Sequence, residues 1–172
     1  MEIRDATEID LAGILAIYNE VIANSTAVYM EQPATLEDRR AWLAARRASG
    51  FPVIVAADAR GVVGFASFGD WSGGWRGYRH TVEHSVHVRV DARGGGIGTA
   101  LMLVLFERGA AMSKHVMVGG IDAANGASRR FHQHLGFAEV AHLHEVGRKF
   151  NRWLDLVFAE RFLDRPGTEP RG

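Results

Sequence analysis

The chain has 172 residues, 20 Lys and Arg against 20 Asp and Glu, a formal net charge of zero, and no cysteine. That balance argues against general attraction to nucleic acid or an anionic membrane. The lack of cysteine excludes disulfides, thiolate metal sites and cysteine nucleophiles. No apolar run reaches membrane-spanning length, and Met1-Glu2-Ile3-Arg4-Asp5 does not begin a signal peptide. The expectation is a cytoplasmic protein with one domain over residues 1–163 and a flexible tail over 164–172.

Ile3-Arg4 reads as a short first strand. Thr7, with Asp10 three residues on, starts a helix whose apolar positions are Leu11, Ile14, Leu15, Tyr18, Val21 and Ile22. Asn24-Ser25-Thr26 ends it. Thr35 with Asp38 starts a second helix, with Leu36, Trp42 and Leu43 on its inner face, and Gly50 and Pro52 close it. Val53–Ala57 and Val62–Phe68 read as strands joined by the turn Asp58-Ala59-Arg60-Gly61. A loop with Trp71, Trp75 and several glycines leads to a strand over Thr81–Val88. A glycine run follows, then a helix with Ala100, Leu101, Val104, Leu105 and Ala111 on one face. His115–Val118 is a strand, Asn125–Leu135 a short helix stopped by Gly136, and Phe137–Ala141 and Trp153–Phe158 are strands. The order β-α-α-β-β-β-α-β-α-β-β specifies a mixed α/β domain.

Arg93-Gly94-Gly95-Gly96-Ile97-Gly98-Thr99 sits between a strand and a helix. A glycine loop at a helix N-terminus offers free backbone N–H groups and a positive dipole end, which suits a phosphate. The dinucleotide fingerprint fails, because its third glycine would fall on Thr99 or Leu101. A Walker loop fails because no Gly-Lys-Ser/Thr follows. His80-Thr81-Val82-Glu83-His84 matches a zinc-protease spelling. That chemistry needs a helix; on a strand, residues four apart lie about 13 Å from one another, and Glu83 points to the opposite face from His84. No metal site is expected. Glu83, just upstream of the phosphate loop, is a candidate general base, with an ordinary exposed strand acid as the alternative. Asn125, Ser128 and His132 share one helix face; taken alone they read first as a polar helix surface with Asn125 as its N-cap. Arg76, Arg79, Arg148 and Lys149 flank loops and suit an anionic substrate, though each alone reads as solvated surface. The four tryptophans read first as packing residues.

Together these segments resemble the GCN5-related N-acetyltransferase (GNAT) superfamily over residues 2–163. Arg93-Gly94-Gly95-Gly96-Ile97-Gly98 follows its Arg/Gln-x-x-Gly-x-Gly/Ala signature. Asn125 to Gly136-Phe137 follows its second signature, except that the usual tyrosine is His132. That histidine, with Ile17-Tyr18-Asn19, Thr81-Val82-Glu83 and Gly147-Arg148-Lys149-Phe150, resembles the phosphinothricin and methionine sulfone/sulfoximine N-acetyltransferase branch.

The resemblance implies a GNAT fold, a mostly antiparallel sheet flanked by helices. It also implies acetyl-CoA as co-substrate, a small amino-acid-like acceptor and a homodimer. Val86, His87 and Val88 would pair with the pantetheine arm, Arg93 to Thr99 would hold the pyrophosphate, and Asn125 and Ser128 would contact the cofactor. Glu83 would deprotonate the acceptor amine. A backbone N–H near Val86 would stabilise the oxyanion, and His132 would act as acid or base. Arg79 is the expected partner of the substrate carboxylate, with Trp71, Tyr29 and Lys149 as further pocket residues. The loop from Asp70 to His80 is one residue longer than the branch pattern, which leaves Arg76 and Arg79 as alternatives. Acetylation of a protein N-terminus or a polyamine, a non-catalytic acetyl-CoA-binding module and a nucleotide-binding regulatory domain are the rival readings. Retention of Glu83 and His132 speaks against a mere binder.

Overall fold

Val53 and Val55 pack against the first two helices, while Ile54 and Ala56 pack in the opposite core. This period-2 apolar alternation makes the second strand a central strand covered on both faces. A computed structural model describes residues 1–165 of the chain; most of the tail expected over 164–172 lies outside the described residues. The elements are β1 (Glu2–Asp5), α1 (Leu11–Asn24), α2 (Leu36–Ala48), β2 (Val53–Asp58), β3 (Gly61–Asp70), β4 (Thr81–Val88), α3 (Ile97–Ala111), β5 (Val116–Asp122), α4 (Gly126–His134), β6 (Ala138–Lys149) and β7 (Arg152–Phe162). Their order is the one expected from the sequence.

The seven strands form one sheet in the order β1-β2-β3-β4-β5-β7-β6. All neighbours are antiparallel except β4 and β5. One core, under α1 and α2, holds Leu11, Ile14, Ile17, Leu43 and Phe65. The other, which takes in α3, holds Val82, Leu101, Met102, Leu105, Met117 and Phe137. Each such fully buried aliphatic contributes about 1.5–3 kcal/mol through loss of contact with water.

The helix starts follow local chemistry. At α2 the capping box is complete: Thr35 Oγ1 accepts from Asp38 N at 3.1 Å, and Asp38 Oδ2 accepts from Thr35 N at 2.7 Å. Before α1 the Asp10 carboxylate accepts from Thr7 N and from the Arg4 guanidinium, and a short 3-10 turn precedes the helix. These bonds hold the Asp10 pKa down at about 2.

The strands run longer than expected, most of all β5, β6 and β7. The β6 strand runs to Lys149 and β7 to Phe162, joined by the two-residue turn Phe150-Asn151, in which both residues have positive φ. Such a turn usually advertises itself with Asn-Gly or Asp-Gly; Phe-Asn does not. The β5 strand continues through Gly119-Gly120 to Asp122, because its pairing with β7 runs from Val116 to Asp122 and supplies backbone bonds that glycine's low propensity does not predict.

Candidate active site

The site lies where the sheet opens. The β4 and β5 strands pair only through Thr81↔Val116, Val82↔Met117 and Glu83↔Val118. Beyond these pairs β4 continues to Val88 and β5 to Asp122 with no ladder between them. Past Glu83, β4 is held on its β3 side alone, so the edge facing β5 has main-chain groups free to bind another extended chain.

The glycine loop stands at the C-terminal end of this open edge. Gly94 (φ 81°) and Gly96 (φ 76°) occupy left-handed conformations that favour glycine, and Gly96 caps α3 without a side-chain hydrogen bond. Ile97, Gly98 and Thr99 therefore form an uncapped first turn. Arg93 folds back, its Nε donating to Val88 O at 3.0 Å and its Nη2 lying 3.3 Å from Glu20. Its side chain is thus engaged with the loop and with Glu20, and the N–H groups of the α3 first turn have no side-chain cap. Gly98 is also a packing glycine, since a Cβ there would meet the Phe131 ring at 3.2 Å.

Adjacent β4 residues face opposite ways. Thr81, Glu83, Ser85 and His87 alternate with Val82, His84, Val86 and Val88. On the first face His87 packs edge-on against Tyr18 of α1, and burial, with Arg93 and Arg39 nearby, lowers its pKa to about 4. Its side chain thus faces α1, leaving its backbone for the open edge. Glu83 borders a pocket of about 470 Å³, together with Tyr29, Trp71, Gly120, Asp122 and Phe158. Loss of hydration raises the Glu83 pKa above the usual carboxylate value, and Arg46 opposes that rise. Arg46 reaches from α2 across bare Gly69, the cross-strand neighbour of Glu83; a Cβ at Gly69 would collide with its guanidinium. The buried Nε of Arg46 has no hydrogen-bond partner.

The expected pocket residues divide. Trp71 and Tyr29 are in the wall. Trp71 meets Phe158 edge to face, with ring centroids 5.1 Å apart. Tyr29 donates its hydroxyl to Asp155 O at 3.0 Å, and burial with the nearby Asp122 and Asp155 carboxylates raises its pKa to about 12, so it stays a neutral phenol. Lys149 is not a pocket residue. It is wholly buried, and its Nζ donates to Ser25 O and Val28 O at 2.7 Å each. It anchors the α1–α2 loop that carries Tyr29. Arg79 is also elsewhere. It lies exposed, its Nη1 3.3 Å from Arg76 O, and it does not line the pocket.

Several wall residues carry no sequence signal. Asp122 is buried at the end of β5, where it accepts a hydrogen bond from Thr26 and another from Ala124 N. Leu156 and Phe158 arrive from β7, inserted between β5 and β6. A larger cleft of about 1260 Å³ lies between α1 and the β2–β3 turn, but no β4 side chain reaches it, and its Arg4, Arg60 and Arg89 are paired with acids.

On the opposite face of β4, His84 points into the α3–α4 core and its Nε2 lies 3.2 Å from His132 Nε2. The His132 Nδ1 is 2.7 Å from Ser128 O. Asn125 is the N-cap of α4, accepting from Ser128 N at 3.0 Å. Both rings sit over Gly119, one residue past the last β4–β5 pair; a Cβ there would fall 2.7 Å from His84 Nε2 and 3.2 Å from His132 Nε2. The zinc-protease spelling is thereby excluded by geometry, since His84 and Glu83 are on opposite faces and His80 Nδ1 is engaged with Ser113 O at 3.0 Å.

The arrangement of open β4 edge, glycine loop and split sheet agrees with known proteins. The acetyltransferase (GNAT) family pattern matches residues 14–137. This chain belongs to that family. A GNAT relative, the L-methionine sulfoximine/L-methionine sulfone acetyltransferase of Pseudomonas paraeruginosa, is 49% identical over 98% of this chain and 98% of its own length. A phosphinothricin N-acetyltransferase of Streptomyces coelicolor is 34% identical over 95% and 96%. An acetyltransferase structure from Salmonella typhimurium, solved with its cofactor acetyl-CoA, is 42% identical and superposes with a TM-score of 0.92 over 96% of this chain and 95% of that one.

Proposed function

We propose that this chain transfers acetyl from acetyl-CoA to the α-amino group of a small amino-acid analogue of the methionine sulfone or sulfoximine type. The single observation that carries the reading is Glu83. It is a carboxylate with a raised pKa, in a small pocket beside the opening of the sheet. The 49% relative acts on methionine sulfoximine and sulfone, whereas the phosphinothricin enzyme is 34% identical; that difference supports the first acceptor class.

The residues fit acetyl-CoA on their own geometry. The unpaired edge of β4 at Val86–Val88 suits the amides of an extended pantetheine arm, and the left-handed Gly94 and Gly96 expose backbone N–H groups to a pyrophosphate. Bound acetyl-CoA supplies the thioester. Asn125 and Ser128 hold the start of α4 beside the cofactor arm. The acceptor arrives as an ammonium; Glu83 takes its proton, directly or through one water, and the free amine attacks. A backbone N–H near Val86 stabilises the oxyanion. His132, across the sheet opening, serves the proton balance as the thiolate departs. Trp71 and Tyr29 shape the acceptor's side of the pocket.

The protein works as one catalytic domain over residues 1–163, in the cytoplasm, as a homodimer. Among the described residues no helix is long and apolar enough to cross a membrane. The dimer reading is supported by the edge strand β6 and its turn, where Val140, Leu143, Val146 and Phe150 are exposed, with exposed Trp153 beside them on β7.

The test is coenzyme A thiol release with a panel of acceptors: methionine sulfone, methionine sulfoximine, phosphinothricin, ordinary amino acids, a polyamine and a peptide N-terminus. Methionine sulfone and sulfoximine are expected to give the highest kcat/KM. The polyamine belongs in the panel because the charged groups lining the pocket are the acids Glu83 and Asp122. Turnover of polyamine or peptide alone overturns the acceptor assignment. Light scattering should give twice the monomer mass, and a monomer would remove the dimer.

A further inference from the structure

His84 is 8% exposed, on the face of β4 that otherwise carries valines. Its ring centroid is 5.1 Å from that of His132 and 5.3 Å from that of Phe137. Its Nδ1 is shielded from solvent and has no hydrogen-bond partner. A packing role alone would be filled by another aliphatic side chain, without desolvating two ring nitrogens.

Donor and acceptor counting fixes the tautomers. A carbonyl only accepts, so His132 Nδ1, 2.7 Å from Ser128 O, carries a hydrogen. The neutral ring then has its lone pair at Nε2. The Nε2–Nε2 contact of 3.2 Å is a hydrogen bond only if His84 Nε2 carries the hydrogen. That leaves His84 Nδ1 as the buried, unpartnered acceptor, in agreement with its surroundings.

We propose that His84 is a positioning residue for proton transfer: its Nε2–H donates to His132 Nε2 and locks that ring in the tautomer with hydrogen on Nδ1 and the lone pair on Nε2. The catalytic use of the pair rests on the acetyltransferase reading; the tautomers do not.

The surroundings favour a neutral resting pair. His84 faces His132 of α4, Phe137 and bare Gly119 of β5, and His132 faces Ser128, Phe131 and Phe137. No carboxylate and no Lys or Arg is among these contacts. Burial lowers the pKa of His84, with His132 and then His87 adding to the effect. Burial also lowers that of His132, opposed by the Ser128 carbonyl.

The test pairs long-range proton–nitrogen NMR of histidine-labelled protein with steady-state kinetics on wild type, His84→Gln and His84→Phe. At neutral pH the wild-type spectra should show hydrogen on Nδ1 of His132 and on Nε2 of His84. His84→Phe keeps the ring but removes the donor. It should lower kcat roughly tenfold or more, leave KM for acetyl-CoA within about threefold, and move the His132 pKa upward. His84→Gln, which restores a donor and packs without a ring, should recover the low His132 pKa but not the full kcat. Hydrogen on Nε2 of His132 in the wild type overturns the proposal, as does a His84→Phe enzyme with unchanged kcat and pH profile. Should His84→Phe fail to fold, the wild-type spectra and the His84→Gln kinetics still decide. Correct tautomers with no acetyl transfer to any amine support the pairing and overturn the proposed function.

Discussion

Glu83 and His84 are neighbours on one strand, yet they live in opposite surroundings. Glu83 borders an open pocket between the α1–α2 loop, β5 and β7, where partial loss of hydration raises a carboxyl pKa. His84 is enclosed between α4 and β5, where burial lowers an imidazole pKa. Desolvation disfavours the charged form in both cases, so it makes the acid weaker and the base weaker. The two consequences differ. On the open face it yields a carboxylate more basic than usual, suited to taking a proton from an ammonium. On the closed face it yields a neutral histidine pair whose hydrogen bonds fix the tautomer of each ring. In the proposed mechanism the sheet opening lets both faces serve one ligand.

The comparison breaks first at Glu83. Glu83→Gln should lower kcat by about 10²–10⁴-fold while acetyl-CoA binding by calorimetry stays near wild type. Unchanged turnover at every pH would remove Glu83 as the base.

The two glycines of β5 separate the faces next. Gly119→Ala puts a methyl 2.7 Å from His84 Nε2 and should disrupt the histidine pair, costing roughly tenfold or more in kcat. Gly120→Ala puts one 3.4 Å from Glu83 Oε1 and 3.5 Å from Leu156, ordinary contact distances, and should cost only a few-fold. Equal effects would mean that the two faces are not distinct in function.

Lys149→Met sharpens the open face. Two carbonyls that fix the Tyr29 loop lose their partner, so unfolding free energy measured in urea should fall by about 1–3 kcal/mol. KM for the amine should rise more than KM for acetyl-CoA. A stability as high as wild type would contradict the anchoring role.

The smallest effect concerns pH. Glu83 must be ionised to act, so kcat/KM should fall as pH drops through its raised pKa, above the usual glutamate range. Arg46 favours the ionised form; Arg46→Met should therefore move this acid limb to higher pH. For the histidines the linkage runs through stability. Their folded pKa values are lowered, so the unfolded chain binds more protons below about pH 6.5, and stability should fall as pH drops from there. His84→Phe should flatten that slope.

Much of this was legible in the residues themselves. Alternation in Thr81–Val88 set Glu83 and His84 on opposite faces and disposed of the zinc-protease spelling. The spacing of Arg93–Gly98 and Asn125–Phe137 led to the family, and the family to the cofactor. These are local signals, carried by periodicity and backbone conformation, and local physics determines them. The expected cations Lys149 and Arg79 do not line the Glu83 pocket, because a long Lys or Arg side chain goes where acceptors are. Lys149 found two carbonyls of the α1–α2 loop, and Arg79 a carbonyl in its own turn. The placement of β7 between β5 and β6 brought Leu156 and Phe158 to the pocket, and the early end of β4–β5 pairing brought His84 to His132 across 48 residues of sequence. By itself the sequence determined which strand carries Glu83 and where a glycine loop opens a helix. Only the tertiary structure decided which groups meet there, because desolvation and long-range pairing depend on how the strands and helices pack together.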